Sequence, residues 1–137
     1  MVSSIKTGAL HHLTLTVTDV ERSTAFYKDH LGFEIFVKFE PGRVLLSNGS
    51  LLLALGPAYD LNKAFVGDLF SEFRIGLDHL SLSVENLAVL QEAAAYFDVQ
   101  GIERGEIKDL GEGFGIYVLA FRDPDNIQLE LTAPYAN

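Results

Sequence analysis

Two histidines and one glutamate stand at matching points of alternating segments. Residues 10–17 read Leu-His-His-Leu-Thr-Leu-Thr-Val, and residues 77–84 read Leu-Asp-His-Leu-Ser-Leu-Ser-Val. Apolar and polar residues alternate strictly in both, which is the period of a half-buried strand. His12, Thr14 and Thr16 share one face of the first segment, and His79, Ser81 and Ser83 share that face of the second. In the last such segment, residues 127–133, Gln128, Glu130 and Thr132 take the polar face while Leu129 and Leu131 take the apolar one. A carboxylate in a sheet interior is costly unless it is paired or bound to a metal. Two imidazoles and one carboxylate can form a facial set of three ligands, which suits Fe(II) and also Mn(II), Zn(II) or Ni(II) and leaves positions open for substrate. The bland reading of His12, His79 and Glu130 is a set of hydrogen-bonded polar groups in a degenerate site. His11 should face the opposite side to His12. His30 falls at a helix end, where a solvated cation favours the dipole.

Each alternating strand is followed by a helix. The first helix starts near Asp19, a good cap, and ends at Gly32. The second starts near Asn86 and ends near Gly101, with Leu87, Leu90, Ala94 and Phe97 forming an apolar stripe. Short strand-like runs come next: Glu34–Phe39, Val44–Ser47 and Leu51–Leu55 in the first half, Gly105–Lys108, Ile116–Arg122 and Ile127–Thr132 in the second. Each half therefore reads βαβββ, and His12 and His79 are 67 residues apart, so the chain is an internal repeat. The fold class is α+β, with two βαβββ modules forming a curved mixed sheet and the helices outside. Residues 1–137 make one domain, with module one at about 8–56, a connecting segment at 57–75 and module two at about 76–134. In the connecting region Leu61, Phe65, Leu69 and Phe73 are spaced by four, which suggests a short amphipathic helix. That helix could cap a pocket, or the segment could simply span the modules and pack on the sheet edge. Asp123-Pro-Asp-Asn is a turn signal before the last strand. The Gly-rich run at 111–115 precedes no helix, so it is not read as a phosphate cradle.

Composition narrows the function classes. Apolar residues make up 48% of the 137 and charged ones 21%, which is globular and not disordered. With no cysteine, disulfide frameworks, thiolate metal sites and cysteine nucleophiles are excluded. Ten Lys and Arg against 19 Asp and Glu give a net charge of −9, which repels phosphate backbones and anionic lipid. Neither a nucleic-acid nor a membrane role is expected. No apolar run approaches the ~18 residues of a membrane span, and Met-Val-Ser-Ser-Ile-Lys lacks a signal-peptide apolar region. A cytoplasmic protein is expected.

The sequence resembles the vicinal-oxygen-chelate superfamily of glyoxalases, extradiol dioxygenases, fosfomycin-modifying transferases and bleomycin-resistance proteins. The resemblance rests on the segment from His12 to Ser23, on Phe26-Tyr-Lys-Asp-His-Leu-Gly-Phe, on Asp78-His-Leu-Ser-Leu-Ser-Val and on Asp123-Pro-Asp-Asn-Ile-Gln-Leu-Glu-Leu. It covers nearly the whole chain. It implies metal ligands on the first and last strands of each module, and His12, His79 and Glu130 fall on three of those four positions. Ala54 takes the fourth, where glyoxalase I has a glutamate, so the resemblance leans away from that enzyme. It implies a divalent metal, with Fe2+ or Mn2+ favoured over Zn2+ or Ni2+, and a small-molecule substrate bound through two vicinal oxygens. Dioxygenase-like or glyoxalase-like lyase or isomerase chemistry would follow, with Tyr117 as the candidate acid–base residue. The alternative is a non-catalytic, drug-sequestering protein of the bleomycin-resistance type, whose acidic groove the charge of −9 would suit. Relatives also imply a homodimer.

Overall fold

The computed structural model describes residues 3–136, so Met1 and Val2, which open the stretch read above for a leader, lie outside the described residues, as does Asn137. Two compact units emerge, Met1–Phe65 (unit 1) and Val66–Asn137 (unit 2). Unit 1 contains β1 (Leu13–Thr16), α1 (Val20–Leu31), β2 (Glu34–Phe39), β3 (Arg43–Ser47) and β4 (Leu52–Gly56). Unit 2 contains β5 (Leu80–Ser83), α2 (Leu87–Gln100), β6 (Lys108–Asp109), β7 (Ile116–Arg122) and β8 (Gln128–Pro134). The sheet orders are β1-β4-β3-β2 and β5-β8-β7-β6, so the two units share one topology. In each, the first strand lies parallel to the last, and the remaining neighbours are antiparallel. The repeat read from the sequence is thus an α+β repeat of βαβββ modules.

Local chemistry sets the helix ends. Asp19 accepts a hydrogen bond from the Arg22 amide at 3.1 Å, and α1 stops at Gly32, whose φ of 72° suits glycine. Asn86 accepts from the Val89 amide at 3.1 Å, and α2 stops at Gly101 with φ of 71°. Each helix then buries one stripe on its own sheet. Phe26 and Tyr27 of α1 join Leu15, Leu46, Leu53, Leu55 and Phe33 in the core of unit 1. Leu90, Ala94 and Phe97 of α2 are buried in unit 2, where Phe97 stacks on Phe121 with ring centroids 4.5 Å apart. Losing a buried Phe such as this one costs about 3–5 kcal/mol. The helix side of each sheet is therefore committed to packing, and the chemically useful side chains stand on the opposite face.

Two expectations change. The spacing of Leu61, Phe65, Leu69 and Phe73 does not produce an amphipathic helix; only one 3-10 turn forms, at Leu61–Lys63. All four side chains are exposed, so no buried face rewards a helix, and Gly67 sits at φ of 72°. The segment is instead tied to unit 2 through backbone groups. The Phe70 amide donates to the Asp125 carbonyl at 2.9 Å, and Asn126 Nδ2 donates to the Phe70 carbonyl at 3.0 Å. The strand expected at Gly105–Lys108 shrinks to Lys108–Asp109 plus an isolated bridge between Arg104 and Phe121. Arg104 forks onto Asp98 at the end of α2 through two bonds of 2.9 and 2.8 Å, which holds this stretch against the helix end. Among the described residues no helix is long and apolar enough to cross a membrane.

Candidate functional site

In unit 2, β5 and β8 pair Ser81 with Glu130 and Ser83 with Thr132, so the polar faces coincide. His79 precedes β5 directly. Its Nδ1 lies 2.7 Å from Asp78 Oδ1. A carboxylate only accepts, so Nδ1 carries a proton, and in the neutral ring Nε2 then keeps its lone pair. Gln128 Nε2 fixes Asp78 in turn, donating to its carbonyl and to its Oδ1 at 3.1 Å each. His79 Nε2 stands 3.7 Å from Glu130 Oε1, too far for a hydrogen bond. A metal ~2.1 Å from each would set them ~3.4 Å apart at a tetrahedral angle and ~3.0 Å at a right angle, so the pair would have to close by a few tenths of an ångström to share an ion. Thr132 Oγ1 donates to Glu130 Oε1 at 3.1 Å, and Ser81 Oγ is hydrogen-bonded to Thr132 Oγ1. The side chains of His79 and Glu130 are 38% and 18% exposed, which leaves the pair reachable from solvent.

In unit 1, the β1 ladder begins only at Leu13. The alternation expected for His11 and His12 therefore does not hold, and His11 does not face away from His12. Their Nδ1 atoms are 2.9 Å apart with the rings edge-on, and both line a cavity of about 230 Å³. Thr14, Ala54, Leu45 and Phe39 line the same cavity from the four strands, with Arg43 and Tyr59 also on its wall. Ala54 pairs with Thr14 as Glu130 pairs with Ser81, so Ala54 holds in unit 1 the place Glu130 holds in unit 2.

The structure brings His79 and Glu130 together and puts Tyr117 elsewhere. Tyr117 pairs with Ala133, on the face of Leu119 and Phe121 and not on that of Glu130, and its ring lies 4.8 Å from that of Tyr135. His12 stands in unit 1 beside His11. Among the described residues, no group of three His, Asp or Glu side chains is gathered closely enough to hold a metal ion. Sequence reasoning assigned no role to Asp78, although one signal was present: the repeat has His11 at the corresponding position. Away from the site, hydrogen bonds shift several acids. Donation from Tyr135 holds the Asp109 carboxyl below its ordinary range, and Asp109 pushes the Tyr135 phenol up to about 12. The Arg122 guanidinium, 2.8 Å from Glu72, likewise lowers that carboxyl.

Comparison with known proteins gives a consistent family. The model described as the Glyoxalase/Bleomycin resistance protein/Dioxygenase superfamily matches residues 9–131. The metallothiol transferase FosB of Staphylococcus saprophyticus is 26% identical over 125 residues, covering 90% of this chain and 75% of that protein. A glyoxylase/bleomycin resistance protein/dioxygenase domain from Frankia sp. EAN1pec superposes with a TM-score of 0.81 at 29% identity, covering 96% of each chain. A variant of the fosfomycin resistance protein FosX from Listeria monocytogenes, complexed with Mn(II) and 1S,2S-dihydroxypropylphosphonic acid, shares the fold with a TM-score of 0.69 at 21% identity, covering 96% of this chain and 90% of that one.

Proposed function

Because the chain belongs to the Glyoxalase/Bleomycin resistance protein/Dioxygenase superfamily, we propose that it is a divalent-metal-dependent enzyme acting on a small substrate through two neighbouring oxygens. His79 and Glu130 hold the metal, with His12 as third protein ligand, within one chain or across two. Fe2+ or Mn2+ is favoured, with Zn2+ or Ni2+ second, since two imidazoles and one carboxylate accept all four. The observation that carries this reading is the geometry of Asp78, His79 and Glu130: a proton fixed on Nδ1, an Nε2 that keeps its lone pair in the neutral ring, and a carboxylate oxygen 3.7 Å from it. The names of two relatives support it, one a metallothiol transferase and the other bound to Mn(II) and a vicinal diol. When bound, the metal supplies Lewis acidity toward the substrate oxygens, in dioxygenase-like or glyoxalase-like lyase or isomerase chemistry.

The protein's own groups do the positioning. Asp78 keeps the His79 ring in one tautomer and one orientation. Thr132 occupies a lone pair of Glu130 Oε1 and so limits how that carboxylate turns. Elemental analysis after reconstitution with Fe2+, Mn2+, Zn2+ and Ni2+ tests the reading, and oxygen uptake on a catechol panel separates dioxygenase from lyase chemistry. A chain that takes up none of the four metals would end the enzyme reading in favour of drug sequestration.

We also infer a cytoplasmic homodimer. Its support is the edge of the unit 1 sheet, where Phe36 and Phe39 of β2 are 69% and 52% exposed, an arrangement soluble proteins usually cover. Sedimentation at micromolar concentration checks it, and a monomer there would remove the dimer.

A further inference from the structure

We propose that Arg43 is a carboxylate anchor, and that the unit 1 cavity takes an acid with an apolar body. The guanidinium is held on three sides. It lies close against Gly56, where an added Cβ would come within 2.3 Å of Nη1 and 2.8 Å of Cζ. It also lies over the Tyr59 ring, with Cζ 3.7 Å from the ring centroid. Nη2 donates to the Pro57 carbonyl at 3.0 Å. A cation so placed is pre-organised, yet among the described residues Arg43 forms no ion pair with an acidic side chain, in a chain carrying 19 of them. Arginine has five N–H donors in a fixed fork, and one is used here. The rest suit a carboxylate, which an arginine fork binds through two parallel bonds.

The remainder of the cavity selects the body of the ligand. Phe39, Leu45, Leu52 and Ala54 line it with carbon. A single cation in an acidic protein matches a monoanion; a phosphate dianion would keep an uncompensated charge among repelling ones. Val44 pairs with Leu55, so Arg43 is level with Gly56 and Thr16, four residues along β1 from His12. That is about 13 Å of strand rise. The ligand is therefore an elongated monocarboxylic acid, its charged end on Arg43 and its body running toward His12. Only the last step, that its reacting oxygens lie at the His12 end, rests on the proposed metal chemistry.

The test uses the full chain after EDTA treatment, titrated calorimetrically with phenylbutyrate and with its neutral amide, phenylbutyramide. The acid should bind about tenfold or more tightly than the amide, and Arg43→Gln should abolish that preference. Tyr59→Ala, which keeps the cation but uncovers it, should weaken the acid severalfold and serves if Arg43→Gln fails to fold. Equal binding of acid and amide, no binding of either at millimolar concentration, or a preference that survives in Arg43→Gln would each overturn the proposal. His79→Ala, in the other unit, should keep the preference and, in a separate reconstitution, should fail to take up metal. If instead wild type takes up no metal but still prefers the acid, the metal reading falls and the anchor stands.

Discussion

The histidine ahead of β1 leans on another histidine, whereas its counterpart ahead of β5 leans on a carboxylate. His12 meets His11 at 2.9 Å, and His79 meets Asp78 at 2.7 Å. One strand over, Ala54 faces Thr14 in unit 1, and Glu130 faces Ser81 in unit 2. A further pleat along, unit 1 has Gly56 beneath Arg43, while unit 2 pairs Thr132 with Val118. The same backbone thus carries two acids close to a histidine in one unit, and a carbon-lined cavity with an arginine on its wall in the other. The lesson is that topology fixes where side chains can point, and two or three substitutions at those points decide what chemistry a module can offer.

The largest expected effect tests that division directly. His79→Ala or Glu130→Ala should empty the metal site, and His12→Ala should do nearly the same, whereas His11→Ala and His30→Ala should retain metal. Elemental analysis of the five purified variants decides it. Next in size, Asp78→Asn should cost ~10–100-fold in metal affinity, because the acid that orients His79 loses its charge. The reciprocal change, His11→Asp, should gain unit 1 no metal site, since Ala54 still stands where Glu130 does; uptake of an additional equivalent would break the comparison. Third, Gly56→Ala should destabilise the protein by about 1–3 kcal/mol in urea unfolding, because the new Cβ displaces the Arg43 guanidinium. The matching change in unit 2, Thr132→Ala, should cost about 2 kcal/mol, from the loss of its two hydrogen bonds, to Glu130 and with Ser81, without a steric clash.

The smallest effect concerns pH and the Tyr135–Asp109 pair of unit 2. The Tyr135 phenol is raised from its ordinary 10.0 to about 12, so its contribution is fully present below pH 10 and is lost as pH rises toward 12. The Asp109 carboxyl is lowered from its ordinary 3.8, so its contribution is present above that value and is lost as pH falls through its folded-state value. Tyr135→Phe should flatten both limbs of a plot of melting temperature against pH. A curve that overlays wild type at both ends would show that the pair adds nothing to stability.

The helices were legible because their signals are local. Asp19, Gly32, Asn86 and Gly101 mark their ends by side-chain and backbone chemistry that needs no tertiary context. The polar faces of β5 and β8 were legible for a similar reason, since alternation holds wherever a ladder exists. It failed at His11, two residues before the ladder begins, where no ladder bond fixes which way a side chain points. It failed differently at residues 61–73, where a spacing of four had no surface to pack against. The face on which Tyr117 lies could not be read from the sequence, since only the register with β8 tells the two faces of β7 apart. Arg43 carries no local signal of its role. Its clamp depends on Gly56 and Tyr59, 13 and 16 residues further on, and no periodic pattern links them.

The contact between Arg43 and Gly56 also constrains history. With the guanidinium in its observed position, no side chain at 56 is tolerated, because even a methyl carbon would overlap Nη1 at 2.3 Å. For two modules diverging from one ancestor, the glycine is a permissive substitution that must come before or with the arginine. Once both are in place the step is hard to retrace, since restoring a side chain at 56 strands the cation. Homologues that keep Arg at this point of the first module should therefore have Gly at the other, while those that lack the Arg are free to vary there.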